Sequence, residues 1–339
     1  MAYTTDIMKF NTKVGLGAIG LFLAALFLFF KIFDFSFGVE PRWGVTFSTK
    51  YATELGLNWE EAYIATLRDL KVKQLRIPVY WDEIEPLNNR YNFSRVDRML
   101  ELAKQFNAQV VLAIGRRVPR WPECHDPLWS GGMSKEVLQQ ELLTMVQDVV
   151  ERYRNHTAIV AWQVENEPTL EVFGMCPPQD MRYYAQEVAA VRALDNRPIV
   201  VTDSGELSLW QDVSQYGDYL GVSLYRVVWN QYIGFWRYTF TTPAHYWAKA
   251  QLVYNRKPNI RQVFVSELQM EPWTLGKDMI DMTPREQYQS FSPRQFKANI
   301  AFARATGMPA VYLWGVEYWY WQKTLGNEAF WLLAQDLWR

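Results

Sequence analysis

The sequence predicts an α/β barrel preceded by one N-terminal transmembrane helix. Residues 14–30 form an uncharged apolar run. From Trp43 onward, short apolar runs alternate with longer amphipathic segments, and this alternation occurs eight times. Each short run is almost continuously apolar, which is typical of parallel strands that are covered on both faces. Eight such strands with intervening helices predict a (β/α)8 TIM barrel.

The apolar run is long enough to cross a membrane. A spanning helix needs about 17 to 25 apolar residues, and Ile32 and Phe33 extend the run. Lys9 and Lys13 precede it, as they would in a cleaved signal peptide, which is the alternative. The residues after the run contain no small-x-small cleavage site, and this favours an uncleaved anchor.

The chain therefore divides into four predicted parts. Residues 1–13 form an N-terminal tail, 14–33 the transmembrane anchor, 34–42 a short connector and 43–339 the barrel. Basic residues before the run favour a cytoplasmic N-terminus by the positive-inside rule. We therefore expect a single-pass protein of the cell membrane, in contact with the bilayer through its N-terminal helix and with the barrel outside the cytoplasm.

The strands and several helix starts can be read from the residues. Asn58 with Glu61, Ser134, and Ser292 before Pro293 have the pattern of helix N-caps. The predicted strands are 43–48, 74–80, 109–114, 159–164, 198–202, 219–225, 262–266 and 310–314.

Composition excludes one class of partner and leaves the cysteines open. The chain has 35 basic and 36 acidic side chains, so no charge excess predicts a nucleic-acid partner. Its two cysteines, Cys124 and Cys176, either form a disulfide in an oxidising compartment or stay apart. Metal binding through Cys124 and His125 is a weaker alternative, because none of the three histidines has ligand spacing to another. We predict no metal and no cofactor.

Two glutamates, Glu167 and Glu267, each follow an apolar run, the fourth and the seventh. In such barrels the C-terminal strand ends form the active face, so both side chains are expected there. A carboxylic acid and a carboxylate that face each other are what cleavage of a glycosidic bond needs. Taken singly, either glutamate could instead cap a helix or pair with an arginine.

These motifs resemble those of clan A glycoside hydrolases. Asn166-Glu167-Pro168 after the fourth strand and Glu267 after the seventh carry the resemblance, which covers about residues 43–325. This clan of retaining (β/α)8 enzymes includes cellulases, mannanases and β-galactosidases. The resemblance implies double displacement, with Glu267 as the nucleophile and Glu167 as the acid/base.

The same resemblance implies roles for four further residues. Arg76 in the second strand and Tyr225 at the end of the sixth would hydrogen-bond the nucleophile. Trp314 would form a floor beneath the sugar, and Asn166 would bond its 2-hydroxyl. The alternatives are structural: Arg76 could neutralise Glu83 or Glu85, while Tyr225 and Trp314 could pack in the core.

Three local features depart from the clan pattern or lie outside it. Arg116, Arg117 and Arg120 stand where many members have a histidine after the third strand. They would either recognise an acidic sugar or pair with neighbouring acids. The aromatic segment 225–240 is either a lid or a surface that lies in the lipid interface, and Glu165 is expected to have a structural partner.

The sequence thus predicts a membrane-anchored retaining glycoside hydrolase that cleaves β-linked saccharides by double displacement. Its expected substrate is an oligosaccharide, a polysaccharide or a glycoconjugate. A transglycosylase that uses the same glutamates is the nearest alternative. A non-catalytic carbohydrate-binding barrel is the alternative from another class.

Overall fold

The predicted barrel is confirmed in a computed structural model that describes residues 19–22, 24–26, 28–30 and 32–339. The barrel strands, numbered in chain order, are β1 (Arg42–Thr46), β2 (Gln74–Pro78), β3 (Gln109–Ile114), β4 (Ile159–Val164), β5 (Ile199–Asp203), β6 (Tyr219–Leu224), β9 (Gln262–Gln269) and β10 (Ala310–Trp314). These eight parallel strands close in the order β1-β10-β9-β6-β5-β4-β3-β2.

Helices connect the strands, and several of them begin at polar caps. The side chains of Asn58, Ser134 and Ser292 accept backbone hydrogen bonds at the helix starts predicted from the sequence. The helices are α1 (Thr49–Glu54), α2 (Trp59–Arg68), α3 (Trp81–Ile84), α4 (Ser94–Gln105), α5 (Lys135–Tyr153), α6 (Met181–Leu194), α7 (Pro243–Arg256), α8 (Pro284–Ser290), α9 (Pro293–Ala305), α10 (Val316–Thr324) and α11 (Ala329–Gln335).

The aromatic segment after the sixth barrel strand forms a β-hairpin. Its strands are β7 (Val227–Asn230) and β8 (Gly234–Arg237), which pair antiparallel with Trp229 opposite Phe235. Tyr232 at the hairpin tip is 84% exposed. The hairpin stands outside the barrel sheet and leaves the parallel strand order uninterrupted.

The barrel interior is apolar at one end and polar at the other. Towards the N-terminal strand ends, an inner layer is built from Val111, Ala161, Val200, Phe264, Ala310 and Tyr312. Burying each large apolar side chain contributes about 1.5–3 kcal/mol to folding. Towards the C-terminal ends, the buried side chains include the polar residues Arg76, Gln163 and Glu267. Buried polar groups require hydrogen-bond partners, and this end of the barrel holds a cluster of such groups. It is therefore the candidate site.

The connector packs against the N-terminal rim of the barrel. The Phe35 backbone N–H donates to the Ala305 carbonyl at 2.9 Å, and the Phe35 ring stacks on Trp247 with 5.1 Å between centroids. Ala305 ends α9, just before β10 begins, so this contact lies at the face opposite the C-terminal strand ends.

The predicted transmembrane helix stays a prediction. The tail 1–13 and anchor residues 14–18, 23, 27 and 31 lie outside the described residues. The described residues among 19–32 are helical and exposed. Within the described part of the chain, no helix has both the length and the apolar character needed to cross a bilayer.

Candidate active site

Arg76 and Tyr225 converge on the carboxylate of Glu267. Arg76 Nη1 donates to Glu267 Oε1 at 2.8 Å, and the Tyr225 hydroxyl donates to Oε2 at 3.1 Å. The side chains of Arg76 and Glu267 are only 1% and 6% exposed. A buried guanidinium and a hydroxyl donor thus fix the direction of both carboxylate oxygens. Glu83 and Glu85, the alternative partners weighed for Arg76, bond Arg95 and Trp81 instead.

An irregularity in β9 aims the Glu267 side chain. Val222 of β6 pairs with Val265, but the next residue, Ser223, pairs with Glu267, so Ser266 is an extra residue. The pairing with β10 shifts between the same positions. The predicted end of this strand at Ser266 is wrong, because β9 continues through this bulge to Gln269. A bulge redirects a side chain, and here it brings Glu267 to the buried guanidinium.

The Arg76 guanidinium also bonds two amides of the fourth strand and its loop. Nε donates to Gln163 Oε1 at 2.6 Å, and Nη2 donates to Asn166 Oδ1 at 2.6 Å. The planar fork of arginine has donors in fixed directions, so these bonds determine where Glu267 lies relative to Asn166. Asn166 thus contacts the expected cluster, although Gln163 was not predicted from the sequence.

The backbone that carries Glu167 has an unusual conformation. Glu165 and Glu167 both have positive φ angles, 54° and 43°. Such angles are uncommon in residues other than glycine and cluster at functional sites. Glu165 stabilises the turn, because its carboxylate accepts the backbone N–H groups of Arg116 and Arg117 at 2.7 and 2.6 Å. This is the structural partner expected for Glu165.

Glu167 lies in surroundings that favour its neutral form. Burial, reinforced by the negative charges of Glu267 and Glu123, holds the pKa of Glu167 well above its ordinary range. Its Oε1 atom is buried and has no hydrogen-bond partner among the residues that the structure describes. The backbone N–H of Glu167 donates to Thr202 Oγ1 at 2.8 Å, which fixes the main chain beneath it. Glu167 therefore has the environment of a carboxylic acid that holds its proton.

A comparison with protein families identifies the group to which this arrangement belongs. A family model described as "Cellulase (glycosyl hydrolase family 5)" matches residues 38–274, more than half of the chain. The chain belongs to glycosyl hydrolase family 5. The resemblance to clan A glycoside hydrolases is thereby confirmed, and the family consists of glycosidases.

Individual relatives of this family 5 chain are distant. A β-galactosidase, BgaA from Clostridium cellulovorans, is 21% identical over 168 residues, which cover 44% of this chain and 26% of that protein. The chain therefore spans about a quarter of the length of this curated relative.

Solved structures share the fold. GH5_18 from Streptomyces cattleya, crystallised with GlcNAc, has a TM-score of 0.56 at 12% identity, covering 81% of this chain and 70% of that one. Xylanase 10B from Thermotoga petrophila RKU-1, crystallised with xylobiose, has a TM-score of 0.53 at 15% identity, covering 80% and 81%. At these identities the likeness establishes the barrel fold alone.

A third acid, Glu123, belongs to this family 5 site and was missed from the sequence. Burial raises the pKa of Glu123 to about 7, although its partner Arg117 opposes the shift. Arg117 Nε donates to Glu123 Oε2 at 2.7 Å, and Asn166 Nδ2 donates to Oε1 at 3.3 Å. The sequence feature that could have pointed to Glu123 is the group of three arginines in the same loop, Arg116, Arg117 and Arg120. Their acidic partners could not be identified from the sequence.

All three loop arginines pair with acids. The sequence left this open as one of two alternatives, the other being recognition of an acidic sugar. Arg116 bonds Asp126, Arg117 bonds Glu123, and Arg120 bonds both Glu271 and Glu317. The Arg120 guanidinium also lies over the Trp314 ring, 4.2 Å from its centroid.

Trp314 is fixed by a hydrogen bond as well as by this stacking. Its Nε1 donates to Glu271 Oε1 at 2.8 Å, and the residue is 8% exposed. Trp314 thus ends β10 at the C-terminal face, beside Arg120. Its predicted role under the sugar stays a prediction.

The two cysteines form a disulfide with Cα atoms 5.3 Å apart. It links the loop after β3, which contains Arg117 and Glu123, to the loop after β4, which contains Glu167. Because Cys124 is part of this bond, it is not available as a thiolate ligand, and the proposed Cys124–His125 metal pair does not exist.

Proposed function

We propose that this chain is a retaining glycoside hydrolase that cleaves β-linked saccharides by double displacement, with Glu267 as nucleophile and Glu167 as acid/base. One observation carries the proposal. At the C-terminal face, Arg76 and Tyr225 each donate to one oxygen of Glu267, whereas burial holds the pKa of Glu167 well above its ordinary range. That is the combination that a retaining glycosidase requires.

In the first step Glu267 attacks the anomeric carbon and Glu167 protonates the leaving oxygen. Arg76 and Tyr225 each donate to one oxygen of Glu267 and so direct its carboxylate, which supports its role as nucleophile. The unpartnered Oε1 of Glu167 gives the acid a position from which a proton can be donated to a ligand. Asn166 is the candidate donor to the 2-hydroxyl, and Trp314 the candidate floor.

In the second step Glu167 acts as a base. Formation of the glycosyl ester removes the charge of Glu267, and that charge is the second largest cause of the raised pKa of Glu167. The pKa of Glu167 therefore falls once the ester has formed, so Glu167 can accept a proton from water.

The decisive experiment is a screen of aryl β-glycosides with the wild-type chain, Glu267→Ala and Glu167→Ala. Glu267→Ala should abolish turnover, and azide should restore it as a glycosyl azide of inverted configuration. Glu167→Ala should yield the retained azide, because the covalent intermediate still forms. Full activity in either variant, or wild-type inactivity on every glycoside, would overturn the proposal.

We further propose that the barrel is anchored to the cell membrane by residues 14–33 and lies outside the cytoplasm. The uncharged run supports the anchor, as do exposed apolar side chains in the described helical part, among them Leu21, Phe22 and Ile32. The disulfide supports an oxidising compartment. The connector contacts the N-terminal rim, so the candidate site would open away from the bilayer.

Membrane fractionation tests whether residues 14–33 anchor the chain. Protease protection tests on which side of the membrane the barrel lies. The full chain should stay in the membrane pellet at alkaline pH, whereas a chain that starts at residue 34 should be released. Protease added to the outside of intact cells should digest the barrel. A full chain found in the supernatant would refute the anchor, and a protected barrel would refute the location.

A further inference from the structure

We propose that the loops above the candidate site form a fixed barrier that closes one end of the substrate cleft, so that the enzyme removes terminal sugar units and does not cut inside a chain. This inference rests on the proposed function. The barrier consists of Arg120 and Trp121 in the loop after β3, Phe173 in the loop after β4, and Glu271 and Trp273 in the loop after β9. We call these five residues the mouth barrier.

An ion pair of the mouth barrier crosses the whole barrel opening. In the closed strand order, three strands separate β3 from β9 in either direction, so their loops lie on opposite sides of the mouth. Arg120 and Glu271 nevertheless form a salt bridge, with side chains that are 8% and 10% exposed. Arg120 also bonds Glu317, after β10, at 2.9 Å. A buried contact between opposite loops leaves no open groove at that position.

A row of aromatic rings crosses the mouth beside this ion pair. The ring centroids are 5.8 Å apart for Trp121 and Phe173, 5.6 Å for Phe173 and Trp273, and 5.5 Å for Trp273 and Tyr225. Strands β5 and β6 lie between β4 and β9, so the Phe173–Trp273 contact spans that sector of the opening. Tyr225 at the end of the row bonds Glu267, which places the row next to the candidate nucleophile.

The mouth barrier is built as a rigid part of the fold. The Cys124–Cys176 disulfide joins two of its loops covalently. The Arg117 guanidinium donates to the carbonyls of Leu170 and Phe173 at 2.5 and 2.9 Å, and Met175 N–H donates to the Pro122 carbonyl at 2.9 Å. Closely packed and covalently linked loops favour a fixed wall over a lid that opens.

Enclosure of the glutamates has a consequence for the substrate. Glu167 and Glu267 are only 5% and 4% exposed. A polysaccharide cut internally must extend past the catalytic pair in both directions, whereas a terminal unit needs access from one side only. A wall joined across the mouth therefore favours a substrate that enters end-first: the terminal unit of a β-linked oligosaccharide or glycoconjugate.

The test uses the sugar whose aryl β-glycoside is turned over and its β-linked hexasaccharide, labelled at the reducing end. The wild-type chain should release only mono- or disaccharide from one end of the hexamer. Phe173→Ala removes the middle ring of the row and should add internal cleavage. The ratio of kcat/KM for the hexamer to that for the aryl glycoside should rise about tenfold or more, the scale of a steric restriction in a pocket.

Matched variants separate the barrier from a general effect of losing an aromatic ring. Trp273→Ala should act like Phe173→Ala, Phe173→Leu should keep the wild-type pattern, and Tyr232→Ala, at the exposed hairpin tip, should change nothing. Internal cleavage by the wild-type chain, or unchanged products from both ring variants, would overturn this inference while leaving the glycosidase proposal intact. Wild-type inactivity on every aryl glycoside would overturn both.

Discussion

Replacement of Arg76 tests how its ion pair with the candidate nucleophile contributes to stability. Arg76→Met keeps most of the side-chain volume and removes the guanidinium. Glu267 would then be a buried carboxylate without its cation, and breaking such a pair from one side costs about 3–5 kcal/mol of stability. Part of that cost does not come from the unpaired charge. Gln163 and Asn166 each lose the hydrogen bond that Arg76 donates, which costs about 1 kcal/mol per bond.

A double-mutant cycle isolates the charge contribution. In Arg76→Met with Glu267→Gln, no buried charge is left uncompensated, so only the two amide bonds are missing and the loss should be about 2 kcal/mol. Urea unfolding of the four proteins, at a pH where the wild type is stable, measures both values. If the double variant were no more stable than Arg76→Met, the ion pair with Arg76 would not be what stabilises Glu267. That result would refute this reasoning.

The same variant has a kinetic consequence. Without the guanidinium, the Oε1 atom of Glu267 loses the charged donor that directs it. Activity of Arg76→Met on an aryl glycoside should fall on the order of a hundredfold. The activity of Arg76→Lys should lie between those of the wild type and Arg76→Met, because lysine keeps the charge but not the fork. Wild-type activity in Arg76→Met would contradict this account.

Three further predictions follow from burial and crowding. Burial raises the pKa of Glu206 to about 7, so the free energy of unfolding should decline as pH rises from 4.5 towards 7. Glu206→Gln should reduce that decline, measured as urea midpoints against pH. The same dependence on pH in the variant and the wild type would contradict this prediction. Glu267→Gln should lower the pKa of Glu167 in a carboxyl ¹³C NMR titration, and a constant pKa would remove the proposed coupling. Gly205→Ala should lower the free energy of unfolding in urea by at least about 3 kcal/mol, because the added Cβ would lie 1.7 Å from the Ser223 carbonyl oxygen. Gly131→Ala is the control and should lower that free energy much less.

Strand periodicity was sufficient to predict the barrel, and the resemblance to clan A glycoside hydrolases predicted the meeting of Arg76, Tyr225 and Glu267. In a closed parallel barrel all C-terminal strand ends point to one face, so residues read at those ends converge without knowledge of any loop. The predicted end of the seventh strand failed by three residues. A bulge keeps the strand going past the expected polar stop, and periodicity does not reveal an inserted residue.

The loop contacts could not be predicted in this way. Arg120 reaches Glu271 across the barrel mouth at a sequence separation of 151 residues, and Glu317 at 197. No local pattern specifies such a pair, because the course of an irregular loop depends on the elements around it. The sequence offered only the rule that buried arginines need acids, which states that partners exist and not which ones.

Two side chains of the same chemistry have different surroundings in this barrel. Glu267 has a guanidinium and a phenol as donors, whereas Glu167 has burial and two neighbouring acids. Since one of those acids is Glu267 itself, the pKa of Glu167 depends on the charge of Glu267. In the proposed reaction, Glu167 gives its proton to the leaving oxygen, and ester formation at Glu267 lowers the pKa of Glu167, so that Glu167 stays ionised and can accept a proton from water. A rigid mouth and a fixed Arg76 are compatible with such a mechanism, because the switch between the two steps is electrostatic.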